Sequence, residues 1–147
     1  MAQDATKIYS GPVTALGIAA AGTADGGSFT DIGLLDEESS VNIEWEPLKA
    51  GLMDGNEFML RGRGRATFML VQTDPSGAQA SLETYRTALA KLKIQTDTAS
   101  ETYFIDNVYV SYRLLRPFKV GEVHKLEVTV SRVTPQPDDF VDGPKTA

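Results

Sequence analysis

Apolar and polar residues alternate along several stretches of this chain, and the alternation predicts most of its elements. In "SVNIEWEP", residues 40–47, Val41, Ile43 and Trp45 point one way while Asn42, Glu44 and Glu46 point the other, a strand that Pro47 closes. "HKLEVTVSRV", 124–133, sets Leu126, Val128 and Val130 against Lys125, Glu127 and Thr129. Residues 57–72 and 102–116 read as two long strands. The second has Tyr103, Ile105 and Tyr109 on one side and Phe104, Val108, Val110 and Tyr112 on the other, so it is expected to be covered on both faces. Residues 12–20 and 29–35 are shorter strand candidates, separated by the Gly-rich turn "AGTADGGS". Residues 48–57, "LKAGLMDGNE", read as a loop that carries Leu48, Leu52 and Met53. Over 74–93 the spacing of Ala78, Leu82, Tyr85, Leu89 and Leu92 predicts a helix, with Asp74 as cap and Pro75 in the first turn. These elements add up to a mainly β domain, a sandwich or barrel with one helix, over residues 12–133. Residues 1–11 read as an N-terminal arm and the Pro- and Asp-rich residues 134–147 as a flexible tail.

The stretch "FMLRGRGRATFML", residues 58–70, puts Arg61, Arg63 and Arg65 at alternate positions with Gly62 and Gly64 between them. A nucleic-acid-binding Arg/Gly segment would lie in polar, low-complexity sequence. Here the flanks are apolar and suited to strands, so the arginines share one strand face and the glycines the other. Folding 40–46 back onto 59–65 sets Glu44 opposite Arg61 and Asn42 opposite Arg63, with Trp45, Ile43 and Val41 over Leu60, Gly62 and Gly64. Large side chains then fill the space the glycines leave, and opposite charges meet across the strands at about 0.2–1 kcal/mol per pair. A mixed acid–base face of this kind also suits a lateral interface between copies.

Composition narrows the chemistry. A net charge of −6 argues against binding nucleic acid through a broad basic surface. With no cysteine, disulfides, zinc–thiolate sites and cysteine nucleophiles are excluded. The start lacks the basic and apolar regions of a secretory signal, and no apolar run reaches the ~18 residues of a membrane span; synthesis and folding in a cytoplasm are expected. His124 is the only histidine and has no sequence partner for catalysis. Asp36, Glu37 and Glu38 lack the spacing of a calcium loop. Neither a P-loop nor a nucleophile elbow is present. The reading is a protein without enzymatic activity, metal or cofactor.

The order of "FTDIGLLDEESSVNIEWEPLKAGLMDGNEFMLRGRGRATFMLVQTD", a helix and two closing strands resembles the phage tail tube protein family. Asp31 and Gly33 match its first strand, and Val41, Ile43 and Glu46 its second. Lys49 lies in the following loop, and Gly64, Ala66 and Leu70 fit the strand that leads to the helix. The resemblance implies a virion protein, assembled in the cytoplasm of a host bacterium, that forms hexameric rings stacked into a tube. Each subunit would lend strands to a multi-subunit β-barrel. DNA and a tape-measure protein would pass through the bore without specific binding or membrane contact, with sheath or baseplate proteins as further partners. On this reading Leu48, Lys49, Leu52, Met53, Arg61, Arg63 and Arg65 are candidates for contacts between subunits and rings, and Glu44, Glu46 and Asp106 for acids of the lumen. The alternatives are another virion component (tail terminator, baseplate hub part or capsid decoration protein) and a small ligand- or nucleic-acid-binding β-barrel.

Overall fold

Two-residue alternation governs the architecture. The computed structural model describes residues 13–32, 41–51, 55, 57–71, 79–97 and 100–145. Its strands are β1 (Val13–Ala20), β2 (Thr30–Asp31), β3 (Asn42–Gly51), β4 (Glu57–Val71), β5 (Ala90–Thr96), β6 (Thr102–Leu115), β7 (Lys125–Thr134) and β8 (Asp142–Lys145), with one short helix, α1 (Ala80–Thr84). All strand pairs are antiparallel, in the order β2-β1-β5-β6-β7-β4-β3, with β8 added beside the start of β6. The fold is mainly β, and the sheet is not closed into a barrel.

The sheet doubles over at one strand. The first half of β6 pairs with β5 and its second half with β7. Between the halves the register slips: Ala90 faces Val108 but Leu92 faces Ile105, so Asp106 and Asn107 together stand opposite Lys91. This is a β-bulge, and Asn107 sits there at φ 55, a conformation asparagine tolerates better than most residues. The Asp106 carboxylate accepts from the N–H groups of Asn107 at 2.8 Å and Gly22 at 3.2 Å, holding the bend. The extra residue also resets the alternation, so Ile105 and Val108 enter the same core. Leu16, Ile18, Leu92 and Ile94 from one half meet Phe68, Leu70, Leu126 and Val128 from the other in that single core. Over its first half β6 is covered on both faces. Phe104 lies on the outer side, under Phe29 at 6.0 Å between ring centroids and under the Lys91 and Lys145 ammonium groups.

The helix is much shorter than its periodicity predicts. Residues 74–78 lie outside the described part, α1 covers Ala80–Thr84, and residues from Ala90 on form β5. Leu89 and Leu92 fit a helical repeat, but Ala90, Leu92 and Ile94 also alternate with Lys91 and Lys93. Strand pairing on both sides of β5, to β1 and β6, decides for the second pattern. The helix keeps Leu82 buried, and the Tyr112 hydroxyl donates to Glu83, which also bonds Arg86. Tyr112 and then Arg86 hold the Glu83 carboxyl below its ordinary pKa. The Val110 N–H donates to Tyr85 C=O at 3.2 Å, so the turn after α1 covers β6 where β5 has ended.

Two other expectations are corrected, and a third falls partly outside the described residues. Pro47 does not end its strand: β3 runs on to Gly51 and β4 starts at Glu57, so residues 48–51 are strand rather than loop. Proline is accommodated because β3 lies at the edge of the sheet, where a missing N–H is tolerated. Of the strand expected over 29–35, Thr30–Asp31 pairs with β1 and Ile32 is buried, while 33–40 lie outside the described residues. The expected tail after residue 133 is docked. Phe140 is 1% exposed, and β8 pairs with β6.

The glycines of β4 explain that docking. A Cβ on Gly64 would lie 2.3 Å from the Phe140 ring, and one on Gly62 would lie 2.0 Å from the Trp45 ring. The Trp45 indole N–H donates to Thr134 at 2.9 Å, and the Thr134 hydroxyl donates to Gln136 C=O at 3.0 Å, where the chain turns toward Phe140. The Arg132 guanidinium donates to the Asp139 carbonyl from below. At its far end the segment is tied by Lys145, which bonds Asp142 and also Asp25, the latter at 2.8 Å; Asp25 also pairs with Lys91 at 2.7 Å.

Two outcomes follow for stability. Phe140→Ala is expected to cost about 3–5 kcal/mol and Gly64→Ala about 1–3 kcal/mol in urea unfolding, with the double variant costing less than the sum, because the alanine methyl and the Phe140 ring compete for one space. Lys145 and Lys91 hold the Asp25 carboxyl below its ordinary pKa. The stability this supplies is present above the unfolded carboxylate pKa of about 4 and is lost as pH falls through the lower folded value. The Asp25→Asn variant should therefore lose less stability than the wild type on acidification from pH 5, a difference that pH-dependent unfolding curves measure directly.

Candidate functional site

In the half formed by β3, β4, β7 and the second part of β6, even-numbered residues of β4 and β7 enter the core and odd-numbered ones face out. Gly62, Gly64, Ala66, Phe68 and Leu70 are buried, so Arg61, Arg63 and Arg65 lie on the outer face, as the alternation predicts. On β3 the outward residues are Asn42, Glu44, Glu46 and Leu48, all exposed. The register is Glu44 opposite Arg65 and Glu46 opposite Arg63, with Trp45 opposite Gly64 and Pro47 opposite Gly62.

The expected register, with Glu44 opposite Arg61, is thus displaced by four residues. Because four is even, every side chain keeps its face, and the matching of acids to arginines and of bulk to glycine survives with different partners. β3 extends past Pro47, with Gly51 opposite Glu57, and a register shift between Pro47 and Lys49 adds to the displacement.

A third pair completes the pattern. Arg113 of β6 lies opposite Glu127 of β7 and bonds it at 2.8 Å. The outer face therefore carries three opposite-charge cross-strand pairs, Glu44/Arg65, Glu46/Arg63 and Arg113/Glu127. Exposed pairs of this kind contribute little stability, about 0–1 kcal/mol each, and their main effect is to balance the charge of the face. Arg113 and Glu127 were within reach of the sequence, since both fall on the outward phase of their strands; their pairing depends on the β6–β7 register.

The remaining candidates are dispersed. Leu48 is on the same face, 41% exposed, next to the register shift between Pro47 and Lys49. Lys49 pairs through its backbone with Met59, and Leu52 and Met53 lie outside the described residues. Asp106 is not near Glu44 or Glu46. It belongs to the bulge of β6 and serves the backbone there.

The edges of this half carry as much meaning as its face. Among the described residues, the outer side of β3 meets no strand, and neither does β6 over 111–115 on the side away from β7. Strand directions alternate through β3, β4, β7 and β6, so β3 and β6 run antiparallel to one another at the two edges. A copy placed beside this sheet would join β6 to the neighbour's β3 in an antiparallel pair, continuing the same hydrogen-bonding pattern. Open edges of this length are aggregation-prone unless covered.

The described residues contain no group of three or more His, Cys, Asp or Glu side chains arranged to hold a metal, and none of their helices is long and apolar enough to cross a membrane. His124 packs edge-on against Phe118, with 5.0 Å between ring centroids. The chain matches no protein-family model and no curated protein.

Since the face is exposed and its pairs are weak, Arg63→Glu is expected to shift unfolding stability by less than about 1 kcal/mol. Glu46→Arg combined with Arg63→Glu should return most of that change. A loss of several kcal/mol in chemical denaturation would mean that the face is buried within the subunit in some way the exposed arginines do not reveal.

Proposed function

We propose that this chain is a tail tube subunit of a phage or related injection particle, forming hexameric rings that stack into a hollow tube for DNA. The observation that carries the reading is the four-stranded half-sheet with open edges of opposite direction. An even number of alternating strands repeats around a ring without a parallel mismatch, and closure removes every edge at once. The resemblance in residues 29–93 supplies the six-fold count and the virion setting.

The outer face suits a bore in a way the net charge alone does not. Arginines repeated along a tube would hold phosphates and slow a passing strand. Here Arg63 and Arg65 stand opposite Glu46 and Glu44, so these two arginines are partly neutralised across the strands. In such a lumen Glu44 and Glu46 act as neutralising partners of the arginines, and Asp106 is a backbone support outside it. The tape-measure protein would meet the same mixed, hydrated surface.

Purified protein at rising concentration, viewed by negative-stain microscopy, is expected to give tubes or six-fold rings of one diameter. Arg63→Glu leaves Glu44 and Glu46 facing a third acid on a surface repeated around the bore, so it should leave the monomer folded and weaken that assembly by like-charge repulsion, with Glu46→Arg restoring it in the double variant. Monodisperse monomers at millimolar concentration, or a filament without a central hole, would overturn the proposal.

A further inference from the structure

Two apolar features flank opposite ends of β6 and leave apolar surface in solvent. Beyond Leu115 the connection to β7 projects Phe118, 86% exposed, Val120, 106% exposed, and Val123, 50% exposed. This tip is a defined turn. The Glu122 N–H donates to Lys119 C=O at 3.3 Å, the Lys119 N–H donates to Pro117 C=O at 2.7 Å, Gly121 adopts φ 84, and His124 supports the Phe118 ring. Three apolar groups held in water by an ordered turn are unusual on a monomer and mark a contact surface.

At the other end of β6, beside Tyr103, a groove of about 460 Å³ opens between the starts of β1 and β3 and the docked C-terminal segment. Val13, Val41, Ile43, Tyr103 and Val141 line it, and Asp138 stands at its rim. Ile43 is 43% exposed there. The groove is large enough for an aromatic and an aliphatic side chain, and its rim is acidic where the tip carries Lys119. Tyr103 of the groove and Phe118 of the tip flank opposite ends of the 14-residue β6, and the tip projects beyond Leu115, away from Tyr103.

We infer that the Phe118–Val123 tip of one copy seats in the Val13/Ile43/Val141 groove of the next copy. A knob at one end and a hole at the other make a heterologous contact, which propagates copies head to tail rather than closing a symmetric pair. The inference rests on the tube reading only for its direction, where it supplies the contact between successive rings. Phe118 and Val120 provide the apolar anchors, and Lys119 facing Asp138 favours one orientation over the reverse.

The chain has no cysteine, so introduced thiols report alone. A Val120→Cys variant is mixed with a Val141→Cys variant under assembly conditions and oxidised, and the disulfides are mapped by mass spectrometry while the same sample is imaged. Val120 is fully exposed and Val141 half-buried at the groove, where cysteine is close to valine in size. A 120–141 link is expected, necessarily between copies, and Val120→Asp should raise the concentration needed for assembly at least tenfold. Rings or tubes without that link overturn the inference and leave the tube reading standing. A link within linear chains that never form rings supports the inference and overturns the tube. Monomers without a link overturn both. A Tyr9→Cys, Val141→Cys variant that links within one chain would place residues 1–12 in the groove and overturn the inference, as would unchanged assembly of Val120→Asp.

Discussion

The hollow above Gly62 and Gly64 is the constraint on which the rest of this structure depends. Two missing side chains in the longest strand create a space that Trp45 enters from the neighbouring strand and Phe140 from the C-terminal segment. Neither glycine needs unusual backbone angles; each is required because a ring occupies the place of its Cβ. Filling the hollow joins three distant parts of the chain. Trp45 anchors the edge strand, its indole N–H reaches the end of β7 through Thr134, and Phe140 carries the last strand back to β6. Burying one phenyl ring contributes about 1.5–3 kcal/mol, enough to turn a Pro- and Asp-rich end into part of the fold.

The bulge in β6 has a comparable reach. One extra residue at Asp106–Asn107 turns a single long strand into the shared member of two half-sheets, and it lets both halves present apolar residues to one core. The polar groups it frees are met by the Asp106 carboxylate, which is why that acid serves the backbone rather than a surface. The turn after α1 then covers β6 just past the bend, leaving the β6 edge open only over its last residues.

These two devices shape the surface that the functional reading uses. The bend separates a half-sheet of long strands, and the glycine hollow anchors its edge strand to β4, which it follows through a register shift after Pro47 to Gly51. The resulting face sets Arg63 and Arg65 opposite glutamates in register, and the resulting edges point in opposite directions. A protein that must repeat itself around an axis needs edges of that kind. One that lets a polyanion pass needs a face that neither grips nor strongly repels it. Both properties are local consequences of register, and both depend on long strands held in place from behind by aromatic packing.

Alternation alone was enough to locate β1, β3, β4, β6 and β7, to put Arg61, Arg63 and Arg65 on one face, and to foresee that large side chains would fill the space beside the glycines. These are properties of a two-residue repeat, which any window of sequence displays. The displaced register of β3 on β4 was not visible, because it depends on where the connecting turn falls. Pro47 signals an end by local chemistry, yet an edge position removes the cost. The exchange of helix for strand at Ala90–Thr96 was hidden for a similar reason: "LAKLKIQT" satisfies both periods, and only the two neighbouring strands choose. The docking of Phe140 was hidden in a Pro- and Asp-rich tail, since its partner is a hollow 76 residues earlier. Side-chain phase is written residue by residue, whereas register, bends and docking are decided by contacts between segments that the linear chain keeps apart.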